Sequence, residues 1–293
     1  KLNIDAVGIS GDLTVDLGTG GGLDDFANLS SDALPSFIGE GEVSLALDQL
    51  GQLTEISGLN TNTLTSSLDN LAAAGVDQIS IEGLAVSGVS ATGNLADLTT
   101  LESAISASNT NAIGLPNALS LEISDAQANA LADLGSPLTG LGGFSFANDS
   151  ADVLLDSAGA THLSTSLKDL QKLNIDAVGI SGDLTVDLGG AGVGLDDFAN
   201  LSSGALPSFV GEGDVSLALD QLTQLTELNG VTADLTASLD NLAATGIDSI
   251  SIEQLNTAGV LGATADLRTL ESAISASNTN TIGLPNALSL EIS

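Results

Sequence analysis

KLNIDAVGISGDLTVDLG, residues Lys1–Gly18, occurs a second time letter for letter at Lys172–Gly189, and this recurrence decides how the chain is built. Three further blocks return in the same order. LDDFANLSS at Leu23–Ser31 reappears at Leu195–Ser203, LESAISASNTN at Leu101–Asn111 reappears at Leu270–Asn280, and GLPNALSLEIS at Gly114–Ser124 reappears at Gly283–Ser293. The shift is 171 residues for the first block (1 to 172), 172 for the second (23 to 195) and 169 for the third (101 to 270), so only short insertions and deletions separate the copies. A period of this kind fixes the architecture before any single residue is read. It predicts a first copy at residues 1–124, the remainder of the period at residues 125–171, and a second, truncated copy at residues 172–293. A chain that begins and stops inside its own repeat is expected to be a window on a longer periodic protein.

A smaller module lies inside the period. SLDNLAAAGVDQISIE (Ser67–Glu82), SLKDLQKLNIDAVGIS (Ser166–Ser181) and SLDNLAATGIDSISIE (Ser238–Glu253) align without gaps. Leu68, Leu71 and Ala72 fall at i, i+3 and i+4, the spacing of one helix face. Ser66 and Ser166, three residues before Asp69 and Asp169, are predicted N-caps. Gly75, Asn174 and Gly246 then align, and Gly and Asn are the residues that enter the left-handed conformation most cheaply, as a helix C-terminus demands. Beyond the cap and an Asp, Ile79 and Ile81, Val178 and Ile180, and Ile250 and Ile252 alternate with small residues, which predicts a strand.

The opposite order, strand then helix, is expected in NALSLEISDAQANALADLG (Asn117–Gly135), with Ala128, Leu131 and Leu134 inward, and in EVSLALDQLGQLTEI (Glu42–Ile56). GDLTVDLG (Gly11–Gly18) reads as a short strand. GGFSFANDSADVLL (Gly142–Leu155) is expected to hold two strands, and NLADLTTLESAISA (Asn94–Ala107) a helix with Leu95, Leu98, Leu101 and Ile105 along one stripe. Each such unit is too small to bury its own apolar face and must stack on its neighbours. The expected fold class is therefore α/β: a repetitive, solenoid-like array of short strands and short helices, stacked continuously.

Composition narrows the function classes. With 43% hydrophobic residues the chain can bury a core, so it is not a disordered acidic tail. Its 38 acids face only 4 Lys and Arg, a net charge of −34, which argues against nucleic acid and against an anionic membrane surface as partners. No run of about eighteen apolar residues is present to span a bilayer. Six Phe are the only aromatic residues, a poor supply for a sugar-binding cleft or a deep pocket. The absence of Cys suits export of an unfolded chain, though it suits the cytosol equally.

NALSLEISDAQANALADLG together with DVLLDSAGATHLSTSLKDLQKLNIDAVGIS (Asp152–Ser181) resembles the repeat regions of very long bacterial surface and secreted adhesin-like proteins. The resemblance covers most of the chain and is one of style, carried by small apolar and acidic residues. It implies an extracellular structural or adhesive role, with export by a one-step secretion system, and it transfers no catalytic residue.

Candidate chemistry is sparse. TGGGLDDF (Thr19–Phe26) and AGVGLDDF (Ala191–Phe198) fit most of the calcium-binding nonapeptide of repeats-in-toxin proteins, which makes Asp24, Asp25, Asp196 and Asp197 the candidate calcium ligands. The leading Gly of that motif is Thr19 in one copy and Ala191 in the other, and the motif is not tandem. The competing reading is a glycine turn followed by acids at a helix start, where the dipole favours them. The Gly clusters lack the G-K-[ST] of a phosphate loop and are followed by acids that would repel phosphate. His162 is the only histidine and has neither a nucleophile nor further ligands beside it in sequence.

The expected function is that of a non-enzymatic extracellular structural protein, forming a filament, surface layer or matrix on a bacterial cell. Its expected partners are copies of itself and divalent cations, and no catalytic residue or bound cofactor is expected. The alternative is a calcium-dependent adhesin stalk that presents a binding tip lying elsewhere.

Overall fold

The computed structural model describes residues 4–18, 22–27, 29, 33–47, 61–81, 93–111, 118–133, 145–146, 153–157, 159–190, 192–201, 204–219, 232–252, 260–280 and 287–292. The chain forms two compact units, Lys1–Ile123 with Phe144–Leu154, and Ser124–Gly143 with Leu155–Ser293. Strand β7 (Val153–Asp156) spans the sequence boundary between them.

In the first unit the chain runs β1 (Ala6–Ser10), β2 (Leu13–Asp16), a 3-10 turn at Leu23–Phe26, β3 (Ser36–Glu40), β4 (Val43–Leu47), helix α1 (Thr61–Ala74), β5 (Gln78–Ile81), helix α2 (Gly93–Asn111) and β6 (Ser120–Ser124). All the pairing is parallel. β2 pairs with β4, β4 with β5 and β5 with β6, so Val15, Leu45, Ile79 and Leu121 stand in one row across the sheet. β1 pairs separately with β3. Neighbours in the main sheet therefore follow chain order. Parallel strands cannot be joined by tight hairpins, which is why a helix crosses between β5 and β6.

The second unit repeats this plan after two short helices, α3 (Asp125–Asp133) and α4 (Leu167–Leu173). It runs β8 (Ala177–Ile180), β9 (Leu184–Asp187), a 3-10 turn at Leu195–Phe198, β10 (Ser208–Gly211), β11 (Val215–Leu219), helix α5 (Thr232–Ala244), β12 (Ser249–Ile252), helix α6 (Val260–Asn280) and β13 (Ser289–Ile292). β9, β11, β12 and β13 pair in that order and all parallel, with Val186, Leu217, Ile250 and Leu290 in one row. β8 pairs with β10. The register is that of the first copy, residue for residue.

Burial explains why the helices sit where they do. Leu64, Leu68 and Leu71 of α1 are buried, and Leu98, Leu101 and Ile105 of α2 are fully so. Leu45, Ile79 and Leu121 of the sheet row are buried as well, and each large side chain removed from water contributes about 1.5–3 kcal/mol. Ala128 and Leu131 of α3 are likewise buried, as their spacing predicts. The expected left-handed caps are present, with φ of +95° at Gly75, +56° at Asn174 and +98° at Gly246. Ser166 caps α4 as expected, accepting the Asp169 N–H on its hydroxyl at 3.2 Å.

Ser66 is a correction. α1 begins five residues earlier, and the Ser66 hydroxyl donates to the Asn62 carbonyl at 2.9 Å from inside the helix. Burying Leu64 adds a turn to the apolar stripe, and this outweighs the cap. The helix expected after β4, Leu134, and the first of the two strands expected in Gly142–Leu155 lie outside the described residues, apart from Ser145 and Phe146. Leu95 lies within α2, and its side chain is outside the description too.

Candidate functional site

Each copy carries the same set of polar contacts, built from side chains that hold one backbone segment to the next. At the start of β4 the Val43 N–H donates to Asp77 Oδ2 at 2.8 Å, and the Asp77 N–H returns a bond of 2.8 Å to the Val43 carbonyl. Val215 and Asp248 repeat both bonds, each at 2.8 Å. This Asp follows the left-handed cap in the sequence module, so the helix end delivers a carboxylate to a strand N–H that would otherwise have no partner in the ladder.

Two amides do similar work. Asn109, near the end of α2, clasps Leu119 through both groups of its side chain: the Leu119 N–H donates to Oδ1 at 2.8 Å, and Nδ2 donates to the Leu119 carbonyl at 2.8 Å. Asn278 does the same to Leu288, at 2.8 and 2.9 Å. Asn70 donates to the Phe26 carbonyl at 2.9 Å, and Asn241 to the Phe198 carbonyl at 2.8 Å.

The corners between paired short strands are stacked glycines. A Cβ on Gly41 would fall 2.3 Å from the Gly11 carbonyl, and one on Gly213 would fall 2.3 Å from that of Gly182. Asp12 accepts the Glu42 N–H at 3.1 Å across the first corner, and Asp183 accepts the Asp214 N–H at 3.2 Å across the second.

The four candidate calcium ligands lie on the two 3-10 turns. Asp25 Oδ2 accepts the Gly22 N–H at 3.2 Å, and Asp197 Oδ2 accepts the Gly194 N–H at the same distance. Each carboxylate thus closes its own turn, while Leu23 and Leu195 anchor the turns in the core. Asp196 occupies the second position of its turn, as Asp24 does in the first copy. Among the described residues no three acidic or histidine side chains converge on a common cation position.

His162 lies on the edge of β9, where the Leu163 N–H donates to the Thr185 carbonyl at 3.0 Å and the Thr185 N–H donates to the Thr161 carbonyl at 2.9 Å. Its Nε2 is 3.2 Å from Asp187 Oδ1, and the ring is about half exposed (49%). A pair this open to water is screened and contributes little to stability.

Sequence reasoning placed an Asp after the left-handed cap but gave Asp77 and Asp248 no role, and it did not single out Asn109 or Asn278. The available signal was their identity in both copies at the junctions between helix and strand. The chain matches no protein-family model, no curated protein and no solved structure. Among the described residues no helix is long and apolar enough to cross a membrane.

Proposed function

We propose that this chain is a non-enzymatic structural repeat module, a stretch of a solenoid-like array displayed outside a bacterial cell as a filament, surface layer or matrix. The observation that carries the reading is the repetition of one contact set, at matching distances and in matching register, in both copies. The recurring side chains of Asp77 and Asp248, Asn109 and Asn278, and Asn70 and Asn241 are spent on tying one backbone segment to the next. A reaction centre needs such groups left free to face a substrate.

The chain-order progression of parallel strands within each unit is what a winding coil produces, one strand per turn. Each turn adds about 4.8 Å in the direction of the strand pairing. The extracellular setting rests on the resemblance to bacterial surface repeats and on the acidic composition.

Electron microscopy of chains carrying one, two and four periods tests the array. Rods whose length grows in proportion to the number of periods are expected. Particles that stay compact in all three chains would show the reading to be wrong.

A further inference from the structure

The two copies are alike in sequence at β1–β2 and β8–β9 but differ in what covers them. Ile4 is 51% exposed, while its counterpart Ile175 is 3% exposed. Val15, Leu17 and Phe26 are half-buried, whereas Val186, Leu188 and Phe198 are completely buried. Beside the first group lies an apolar cleft of about 160 Å³ whose walls include Leu17, Phe26, Phe37 and Val76.

In the second copy the cover is the segment Leu155–Leu173. Its extended part, Thr161–Leu163, pairs with the edge of β9, and the Lys168 N–H at the start of α4 donates to the Leu188 carbonyl at 3.2 Å. The Lys168 ammonium stands 5.4 Å from the centre of the Phe198 ring. A Cβ on Gly189 would come within 3.0 Å of Lys168 Cβ, while one on the matching Gly18 would meet no atom within 4 Å. Leu167 and Leu170 of α4 are fully buried, and Asp125 holds the loop before them by accepting the Ser164 and Thr165 N–H groups at 2.8 and 2.9 Å. Among the described residues no segment takes this place on the first copy.

We propose that the face formed by β1, β2 and the Leu23–Phe26 turn is an acceptor surface, and that its occupant is a strand-and-helix segment of the Leu155–Leu173 type donated by an adjoining repeat. The proposal rests on the repeat-array reading and specifies the joint by which one repeat locks onto the next. The acceptor residues Lys1–Gly18 are identical in sequence to those that already receive such a segment. Its polar requirement is already in place as well. The Leu13 and Leu17 N–H groups donate to the Glu42 and Ala46 carbonyls on the β4 side, which leaves the alternate Thr14 N–H on the open edge, where the matching Thr185 N–H donates to the Thr161 carbonyl.

The test is to join the sequence of residues 124–171 directly ahead of Lys1, so that the new junction reproduces Gln171–Lys172, and to follow amide exchange at Thr14 by NMR. The Thr185 amide of the same chain reports whether the second copy is folded. Thr14 exchange is expected to slow at least about tenfold, toward the rate of Thr185. A prefix carrying the Leu167→Asp and Leu170→Asp changes is expected to leave Thr14 as fast as in the present chain. Fast exchange at Thr14 behind the unaltered prefix, with Thr185 still protected, would overturn the proposal. That result is separable from failure of the array, because growth of rods with period number is read independently. Docking of the prefix in chains that form no rods would uphold the joint and reject the filament.

Discussion

Gly213 and Gly182 stand at the same corner and have opposite tolerances. Gly213 holds φ at +137° with the Gly182 carbonyl where a Cβ would go, while a Cβ on Gly182 itself meets open space. Gly213→Ala must therefore move backbone, and it is expected to cost about 2–4 kcal/mol. Gly182→Ala should stay within about 1 kcal/mol of the parent. Urea unfolding at unchanged m-value separates the two, and equal costs would show that stacking at the corner does not fix the glycine. Asp77 supplies a second residue-scale test. Asp77→Ala strands the Val43 N–H and is expected to cost about 1.5–3 kcal/mol, whereas Asp77→Asn keeps an acceptor oxygen and should recover most of it.

Among the elements, what the sequence made legible is what depends on local chemistry. The left-handed residues at Gly75, Asn174 and Gly246, the cap at Ser166 and the alternating Ile79 and Ile81 all follow from short-range rules. β3 and β10 were not legible. Their sequences, SFIGE and SFVG, are short, carry a glycine, and keep Ile38 and Val210 exposed, so neither shows a clean alternation. They are strands because β1 and β8 lie beside them and take up their hydrogen bonds, which is a long-range fact. The candidate acids Asp24, Asp25, Asp196 and Asp197 were found by motif, yet the bonds of Asp25 and Asp197 to their own turns are three-dimensional information. α1 shows burial overriding a cap signal, and it gives a paired prediction. Ser166→Ala should cost about 0.5–2 kcal/mol, because it removes a true cap. Ser66→Ala should change stability by less than about 0.5 kcal/mol, because it removes only a bond back to the preceding turn. Thermal unfolding of the two single variants checks the pair, and a Ser66→Ala loss as large as that of Ser166→Ala would place the start of α1 at Ser66 after all.

For the whole molecule, charge is the term that opposes assembly. The chain carries 38 acids against 4 Lys and Arg. Among the described residues the close Lys–carboxylate pair is Lys172 with Asp169 at 3.0 Å, partly exposed to water. Most of the carboxylates therefore repel one another across the surface, and that repulsion weakens the compact state and any side-by-side packing of arrays. Screening acts on it directly, since the Debye length falls from about 30 Å at 0.01 M to about 8 Å at 0.15 M ionic strength. Melting temperature is expected to rise with sodium chloride over that range, and lateral bundling of multi-period rods should appear as salt or divalent cation increases. Calcium and magnesium decide whether the ion acts by charge or by coordination. General screening predicts equal effects of the two at equal concentration, with no loss of stability when EDTA is added in fixed salt. A site built from the turn aspartates would instead favour calcium, because flexible, oxygen-rich sites accept its larger coordination shell and magnesium demands near-octahedral geometry. With Asp25 and Asp197 already bonded to their own turns, the expected result is parity between the two cations. A rise in melting temperature with calcium that magnesium fails to reproduce would favour the calcium-dependent stalk over the plain structural array.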